Sequence, residues 1–163
     1  MKTLLLMRHA KSSWKDPELQ DIDRPLNKRG ERDAPRMGKL LKKEGLIPDI
    51  IVSSPAQRTK ATAEAVADKL DYEKDILYVD SLYLGEPHEY FEMLRSLSDE
   101  VDTALVIGHN PGLEGLVQIL SGKVVSLPTG AIAYLRVPVR AWSALTVHID
   151  CKLAELWRPK DLD

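Results

Sequence analysis

Short apolar runs alternate with amphipathic helical segments along this chain, and this alternation restricts the fold more than any other feature of the sequence. The run from Lys2 to Met7 is dominated by apolar residues, which is typical of a strand buried on both faces. Further strands are predicted at 49–53, 76–79, 103–107, 131–137 and 144–150. Strands that alternate with helices predict a three-layer α/β sandwich, with a mainly parallel central sheet and helices on both faces. No helix separates the last two strands, so we expect an antiparallel edge.

Four helices are predicted between the strands, at residues 27–44, 54–70, 87–97 and from 111 onward. Asn27 is the expected N-cap of the first helix and Gly45 its stop. Pro35 lies inside that helix and lacks an N–H, so we expect a kink or a restart there. Ser54 is the expected N-cap of the second helix, with Pro55 at its first helical position.

The composition favours one ordinary globular domain over the whole chain, residues 1–163. The 23 lysines and arginines and the 25 aspartates and glutamates leave a formal charge of −2, so we expect no binding to nucleic acid or to a membrane surface. No apolar run approaches the ~18 residues that a membrane helix requires, and the N-terminal run is too short for a signal peptide. Cys151 is the single cysteine, which excludes an intramolecular disulfide. We therefore expect a cytoplasmic protein.

Histidine and arginine side chains follow several of the predicted strands directly. Arg8 and His9 end the first strand, Arg58 lies in the first turns of the helix after the second, and His109 follows the fourth. Ligands of open α/β sheets bind beyond the carboxyl ends of the strands, so these side chains should meet at one edge. Arginine binds phosphate in a bidentate fashion, and a helix N-terminus close by adds unpaired N–H groups. The pattern predicts a phosphate site with imidazoles at its centre.

Four linked sequence blocks resemble the motifs of a known family. The first is Leu6-Met7-Arg8-His9-Ala10, in which Ala10 stands where the family usually has glycine. The others are Arg24-Pro25-Leu26 with Gly30, Ser53 to Arg58 with Thr62-Ala63, and Gly108 to Gly112 followed by Pro128 to Ala131. They resemble the histidine phosphatase superfamily, which includes the cofactor-dependent phosphoglycerate mutases, and in particular its short SixA-like phosphohistidine phosphatase branch. The matches cover positions 2 to about 136 in the family's order.

This resemblance implies roles for individual residues. His9 would be the nucleophile that forms a phosphohistidine on the enzyme, while Arg8, Arg58 and His109 would hold the equatorial phosphoryl oxygens. Arg24 would join them in binding the substrate. Arginines and a second imidazole can stabilise the transferring group without a metal, so we expect neither a metal nor another cofactor.

Other positions are left open at this stage. Ser12 and Asn110 could donate to phosphate or merely cap a loop, and Thr129 could line the pocket or be a turn residue. Larger family members use a glutamate as general acid after the third strand, where Glu86 is the candidate by position. The SixA-like branch lacks an obvious acid there. A phosphohistidine needs less proton delivery than an ester, for which an acid contributes roughly 10²–10⁴-fold, so a missing acid favours P–N substrates.

The leading hypothesis is a metal-independent phosphatase that uses a phosphohistidine enzyme intermediate and acts on protein phosphohistidine. Its partner would be a histidine-phosphorylated signalling protein. The first alternative is a small-molecule phosphomonoesterase of the same superfamily with Glu86 as its acid. The second is a catalytically inactive phosphate-binding module, against which the presence of both His9 and His109 argues. The remaining candidates have ordinary interpretations: His88 lies on the surface, His148 is a packed or half-exposed strand residue, and Cys151 is a core residue.

Overall fold

The computed structural model describes residues 1–162 and contains one six-stranded mixed sheet. The strands are β1 (Lys2–Arg8), β2 (Ile50–Ser53), β3 (Leu77–Tyr78), β4 (Thr103–Gly108), β5 (Ile132–Val137) and β6 (Lys152–Trp157). Their order across the sheet is β3-β2-β4-β1-β5-β6. The first four are mutually parallel, whereas β5 is antiparallel to both of its neighbours. The predicted parallel sheet with an antiparallel edge is confirmed.

Four helices cover the two faces of the sheet. They are α1 (Lys28–Lys43), α2 (Gln57–Lys69), α3 (Pro87–Arg95) and α4 (Gly112–Ser121). Successive side chains of a strand point to opposite faces, and accordingly Leu4 and Leu6 pack with α3 and α4 while Leu5 and Met7 pack with α1 and α2. The three-layer sandwich is confirmed. Within residues 1–162, no helix is long and apolar enough to cross a membrane.

The predicted strand at 144–150 is wrong. A short 3₁₀ turn at Trp142–Ala144 leads into turns, and the last strand, β6, lies further along the chain. The alternation of Leu145 and Val147 suggested a half-buried strand, but Val147 is 60% exposed. Trp142 is fully buried and its Nε1 donates to the carbonyl of Val101, so this anchor fixes a turn rather than an extended segment. His148 is consequently an exposed turn residue, not a strand residue.

Two further helix predictions need correction. α1 continues through Pro35 without a restart: residues on both sides of the proline are buried, and Met37 and Leu41 after it pack in the same cluster as Leu5 and Met7 of the sheet. α2 begins at Gln57 rather than at Ser54, which remains free to contact the site described below. Gly45 does end α1, with a φ of 72° in the left-handed region that glycine favours.

The N-terminus of α1 is held against the loop that follows β1. Asn27 caps the helix by accepting from the Gly30 N–H, and its own N–H donates to the carbonyl of Lys11 (3.0 Å). A Cβ on Gly30 would overlap that same Lys11 carbonyl oxygen. The glycine therefore permits the close approach of helix and loop.

Replacing Gly30 with alanine should lower the free energy of unfolding by about 1–3 kcal/mol, because backbone atoms must move to relieve the overlap. Gly38→Ala on the same helix is the matched control. Its Cβ would lie 3.0 Å from the Lys69 Cβ and 3.1 Å from the Cα and carbonyl oxygen of Val66, so these neighbours need to move by only a few tenths of an ångström, and alanine gains helix propensity. Urea unfolding of both variants would measure the difference. A Gly30→Ala protein as stable as Gly38→Ala would contradict this account of the packing.

Candidate active site

A pocket of about 260 Å³ lies where the carboxyl ends of β1 and β4 and the segment after β2 meet. Its lining contains every predicted site residue except Glu86. These residues are Arg8, His9, Ser12, Arg24, Arg58, His109, Asn110 and Thr129. The pocket therefore brings together side chains from distant parts of the chain at the predicted edge of the sheet.

The His9 ring is held in one orientation. Its Nδ1 lies 2.8 Å from the backbone oxygen of Ala10, and because a carbonyl can only accept, the proton is on Nδ1. The Ala10 N–H donates to the Thr62 hydroxyl, which fixes this turn of the chain to α2. The lone pair of the ring is therefore on Nε2, in a side chain that is only 6% exposed.

Burial lowers the pKa of His9 to about 4, and the charges of Arg58, Arg8 and Arg24 act in the same direction. The hydrogen bond to Ala10 works against this shift but is outweighed. His9 is thus a neutral imidazole at neutral pH, the form that carries a lone pair.

His109 lies beside His9, with 5.3 Å between the ring centroids. Its Nε2 lies 2.8 Å from the hydroxyl oxygen of Ser54, and its backbone N–H donates to the Tyr90 hydroxyl. Its Nδ1 is buried and has no hydrogen-bond partner among the described residues. Burial, followed by the effect of His9 and then of Arg58, lowers the pKa of His109 to about 3. A second neutral imidazole therefore stands next to the first.

One wall of the pocket is held together by hydrogen bonds to the backbone of Leu127. Arg8 Nη1 and Asn110 Nδ2 both donate to its carbonyl oxygen, at 3.2 and 2.8 Å. Its N–H donates to the carboxylate of Glu114 on α4 (2.7 Å). The Arg8 Nε and the Asn110 Oδ1 are buried without a hydrogen-bond partner among residues 1–162. This wall therefore offers polar groups that a bound anion or its carrier could use.

Asp21 organises the opposite wall, and sequence reasoning missed it. Its carboxylate accepts from Arg24 Nη1, Arg58 Nη2 and the Tyr83 hydroxyl, at 3.1, 3.0 and 2.6 Å. Its backbone carbonyl also accepts from Arg58 Nη1. The hydrogen bond from Tyr83, followed by those from the two arginines, lowers the pKa of Asp21 to about 2, so the group is a carboxylate at neutral pH. Ser12 completes this wall by accepting from Arg24 Nη2.

The mouth of the pocket contains three further residues that sequence reasoning missed, Lys11, Trp14 and Leu84. All three are exposed. The Trp14 ring stacks on the guanidinium of Arg24, whose Cζ lies 3.2 Å from the ring centroid. The only available signal for Trp14 and Asp21 was their location between the Arg8 and Arg24 blocks, since neither follows a strand end.

Glu86 does not join these residues. Its side chain is 79% exposed, lies 3.5 Å from His88, and is absent from the pocket lining. The structure thus separates the predicted acid from the predicted nucleophile. His88 is a surface residue and Cys151 is a core residue, as predicted.

Other parts of the described chain offer less chemistry. An apolar cavity of about 340 Å³ beside α3 includes Phe91, Ile119 and Val147 and none of the predicted site residues. Among residues 1–162, no cluster of three or more His, Cys, Asp or Glu side chains could hold a metal ion. The chemistry-bearing residues concentrate in the pocket at the sheet edge.

Solved structures and known sequences resemble this chain along nearly its whole length. An uncharacterized chloroplastic protein of Arabidopsis thaliana is 34% identical over 150 residues, covering 86% of this chain and 69% of the relative. A candidate phosphohistidine phosphatase SixA from Agrobacterium tumefaciens superimposes with a TM-score of 0.83 at 27% identity, covering 97% of this chain and 98% of that one. The protein histidine phosphatase SixA complexed with tungstate superimposes with a TM-score of 0.86 at 25% identity, covering 99% of both chains.

The family model of the histidine phosphatase superfamily, branch 1, matches residues 4–82, which include most of β1 and the segment with Asp21 and Arg24. Arg58 and the start of α2 lie in the same stretch, so the match contains the nucleophile candidate and all three arginines around it. The pocket, the sequence relatives and the similar structures agree with this match. The chain belongs to the histidine phosphatase superfamily.

Proposed function

We propose that this protein is a phosphohistidine phosphatase, which takes a phosphoryl group from a histidine of another protein and passes it to water through a phosphoenzyme on His9. The observation that carries the proposal is the fixed ring of His9, whose Nδ1 donates to the Ala10 carbonyl. Nε2 keeps the lone pair for attack on phosphorus. The low pKa of His9 keeps this lone pair available at neutral pH.

The reaction has two displacement steps on phosphorus. In the first, His9 Nε2 bonds to phosphorus while the bond from phosphorus to the substrate nitrogen breaks, in line and on the opposite side. In the second, water attacks phosphorus, the bond to Nε2 breaks, and inorganic phosphate leaves a neutral imidazole. Arg8, Arg24 and Arg58 stabilise the three phosphoryl oxygens in both steps, so we propose that no metal or cofactor is needed.

His109 donates to the transferring group in this scheme. The Ser54 hydroxyl oxygen accepts from the Ala56 N–H, so its hydrogen is available to His109 Nε2. Nδ1 then carries the ring proton and can donate to a phosphoryl oxygen. Asn110 and Thr129, which line the pocket nearby, would bind the substrate alongside it.

The charge of Asp21 supports a substrate with a P–N bond. It is the sole carboxylate in the pocket lining of the described chain, and its pKa of about 2 leaves it without a proton to give. An alkyl ester requires proton delivery to its leaving oxygen, whereas a protonated phosphohistidine leaves as neutral imidazole. The position of Glu86 outside the pocket further weakens the alternative of a phosphomonoesterase.

The similar structures support a protein substrate. Two of them carry the names of SixA phosphohistidine or protein histidine phosphatases, and one holds tungstate, a tetrahedral oxyanion like phosphate. Three residues at the mouth of the pocket are exposed, which leaves room for a side chain presented on the surface of another domain. A histidine-phosphorylated signalling protein fits both observations.

Replacing His9 with alanine should abolish phosphate release from a phosphohistidine peptide, because the nucleophile is lost. Arg58→Ala and His109→Ala should each lower kcat/KM by at least ~100-fold, since charged or donor groups on the transferring phosphoryl are removed. Phosphate release with chelator present would be compared with release from p-nitrophenyl phosphate. His88→Ala, which changes an exposed histidine outside the pocket, is the control. Normal turnover by His9→Ala would end this mechanism, and a strong preference for the ester would favour the phosphomonoesterase.

The acid limb of the pH profile should lie near pH 4 rather than near 6.5, the ordinary pKa of histidine. Attack requires neutral His9, and its lowered pKa keeps that form dominant until the pH falls to about 4. The measurement is kcat/KM against pH, corrected for the ionisation of the substrate. A loss of activity centred near pH 6.5 that belongs to the enzyme would contradict the assignment of a buried neutral nucleophile.

Replacing Asp21 with asparagine should lower kcat/KM by about 10-fold or more, because a carboxylate that orients Arg24 and Arg58 through charge-assisted hydrogen bonds is lost. Asp23→Asn is the matched control, since it removes the same charge from an exposed neighbour that does not line the pocket. Equal rates for the two variants would show that Asp21 does not position the arginines.

A further inference from the structure

We infer that Trp14 and Leu84 form the leaving-group subsite and select a phosphoryl group carried on an aromatic ring, here the imidazole of a protein phosphohistidine. The inference rests on the proposed function and specifies what the mouth of the pocket recognises. It concerns two residues that no motif marked and that differ in character from the charged groups below them.

Burial divides the pocket into a floor and a mouth. His9, Arg24, Arg58 and His109 are buried, whereas Trp14 is 75% and Leu84 is 58% exposed. In-line attack places the leaving group on the side of phosphorus opposite the nucleophile. Because the nucleophile is on the floor, the leaving group lies at the mouth, where it meets these two apolar side chains.

Trp14 provides an immobilised aromatic surface against which the leaving group can pack. The Arg24 guanidinium stacks on the indole 3.2 Å from its centroid, and Arg24 is itself tied to Asp21 and Ser12. An exposed tryptophan fixed in this way loses little side-chain freedom when a second ring packs against it. Flat rings gain from such packing, whereas ammonia or a small polyol gains little.

The second observation is the strained backbone conformation of Leu84. Its φ of 51° lies in the left-handed region, where a bulky side chain is an outlier, yet its side chain projects into solvent. The segment is held on both sides: Leu82 is fully buried, the Tyr83 hydroxyl donates to Asp21, and a Cβ on Gly85 would overlap the Ser81 carbonyl. Strain that persists next to a reacting centre indicates a functional requirement. Here it presents an aliphatic side chain at the mouth.

The mouth thus favours a ring over a charged metabolite. Its charged member is Lys11, an ammonium on a flexible stem, while the indole and the isobutyl group provide the fixed surface. An imidazole attached to phosphorus would place its ring between these two apolar side chains. Lys11 would not oppose a neutral leaving ring.

The test compares two P–N substrates that differ in the ring. Phosphoramidate releases ammonia, and a phosphohistidine peptide releases imidazole. Trp14→Ala and Leu84→Ala should each lower kcat/KM for the peptide by about 5- to 10-fold while leaving kcat/KM for phosphoramidate within about twofold. Trp14→Phe, which keeps an aromatic face, should restore most of the loss. Val147→Ala is the matched control, because Val147 is 60% exposed and lies in a different cavity.

Equal losses on both substrates would overturn the inference, because Trp14 would then act only through Arg24 and Leu84 only through the local backbone. Undiminished peptide turnover in both alanine variants would also overturn it. If the wild-type enzyme had the same kcat/KM for phosphoramidate as for the peptide, selection of a ring would be disproved, while the proposed hydrolysis of P–N bonds would stand. Failure of the wild-type enzyme on both substrates would instead remove the proposed function.

Discussion

The parallel pairing of β1 with β4 is the constraint on which the site depends. Its register sets Arg8 beside Gly108, so that His9 and His109 leave the two strands next to each other. The His9 N–H donates to the Gly108 carbonyl, which continues the pairing into the site itself. Leucine and methionine side chains on both faces of β1 bury this pair between the helix layers. The hydrophobic core thus fixes the distance between two imidazoles that are far apart in sequence.

Electrostatics at the pocket follow from what the fold buries. Three arginines lie around two imidazoles, and both burial and positive charge keep the imidazoles neutral. Asp21 offsets part of this charge and gives Arg24 and Arg58 a common anchor. The same carboxylate is too acidic to act as a proton donor near neutral pH. Such a site attracts a phosphoryl group and supplies a nucleophile. Because Asp21 gives no proton, the leaving group has to depart without a proton from this carboxylate.

Sequence reasoning could locate residues whose position follows from topology. Arg8, His9 and His109 come directly after parallel strands, so the sheet itself brings them together. Trp14 and Leu84 lie in loops and turns, and Asp21 begins a three-residue 3₁₀ helix. No periodicity fixes a side chain in such short segments, and only the tertiary structure places these residues in the pocket. Glu86 was suggested by chain position alone, and its loop turns it outward. The strand predicted at 144–150 rested on a short apolar alternation that the anchoring of Trp142 overrides.

The most direct test of the central claim is to trap the phosphoenzyme. The enzyme would be mixed with a phosphohistidine peptide, and the reaction would be quenched within milliseconds in base. Mass spectrometry would identify the modified residue, and ³¹P NMR the ring nitrogen that carries the phosphoryl group. This account predicts an acid-labile phosphoryl group on Nε2 of His9, because Nδ1 is held by the Ala10 carbonyl. Turnover with no covalent intermediate, or a phosphoryl group on Nδ1 or on another residue, would contradict it.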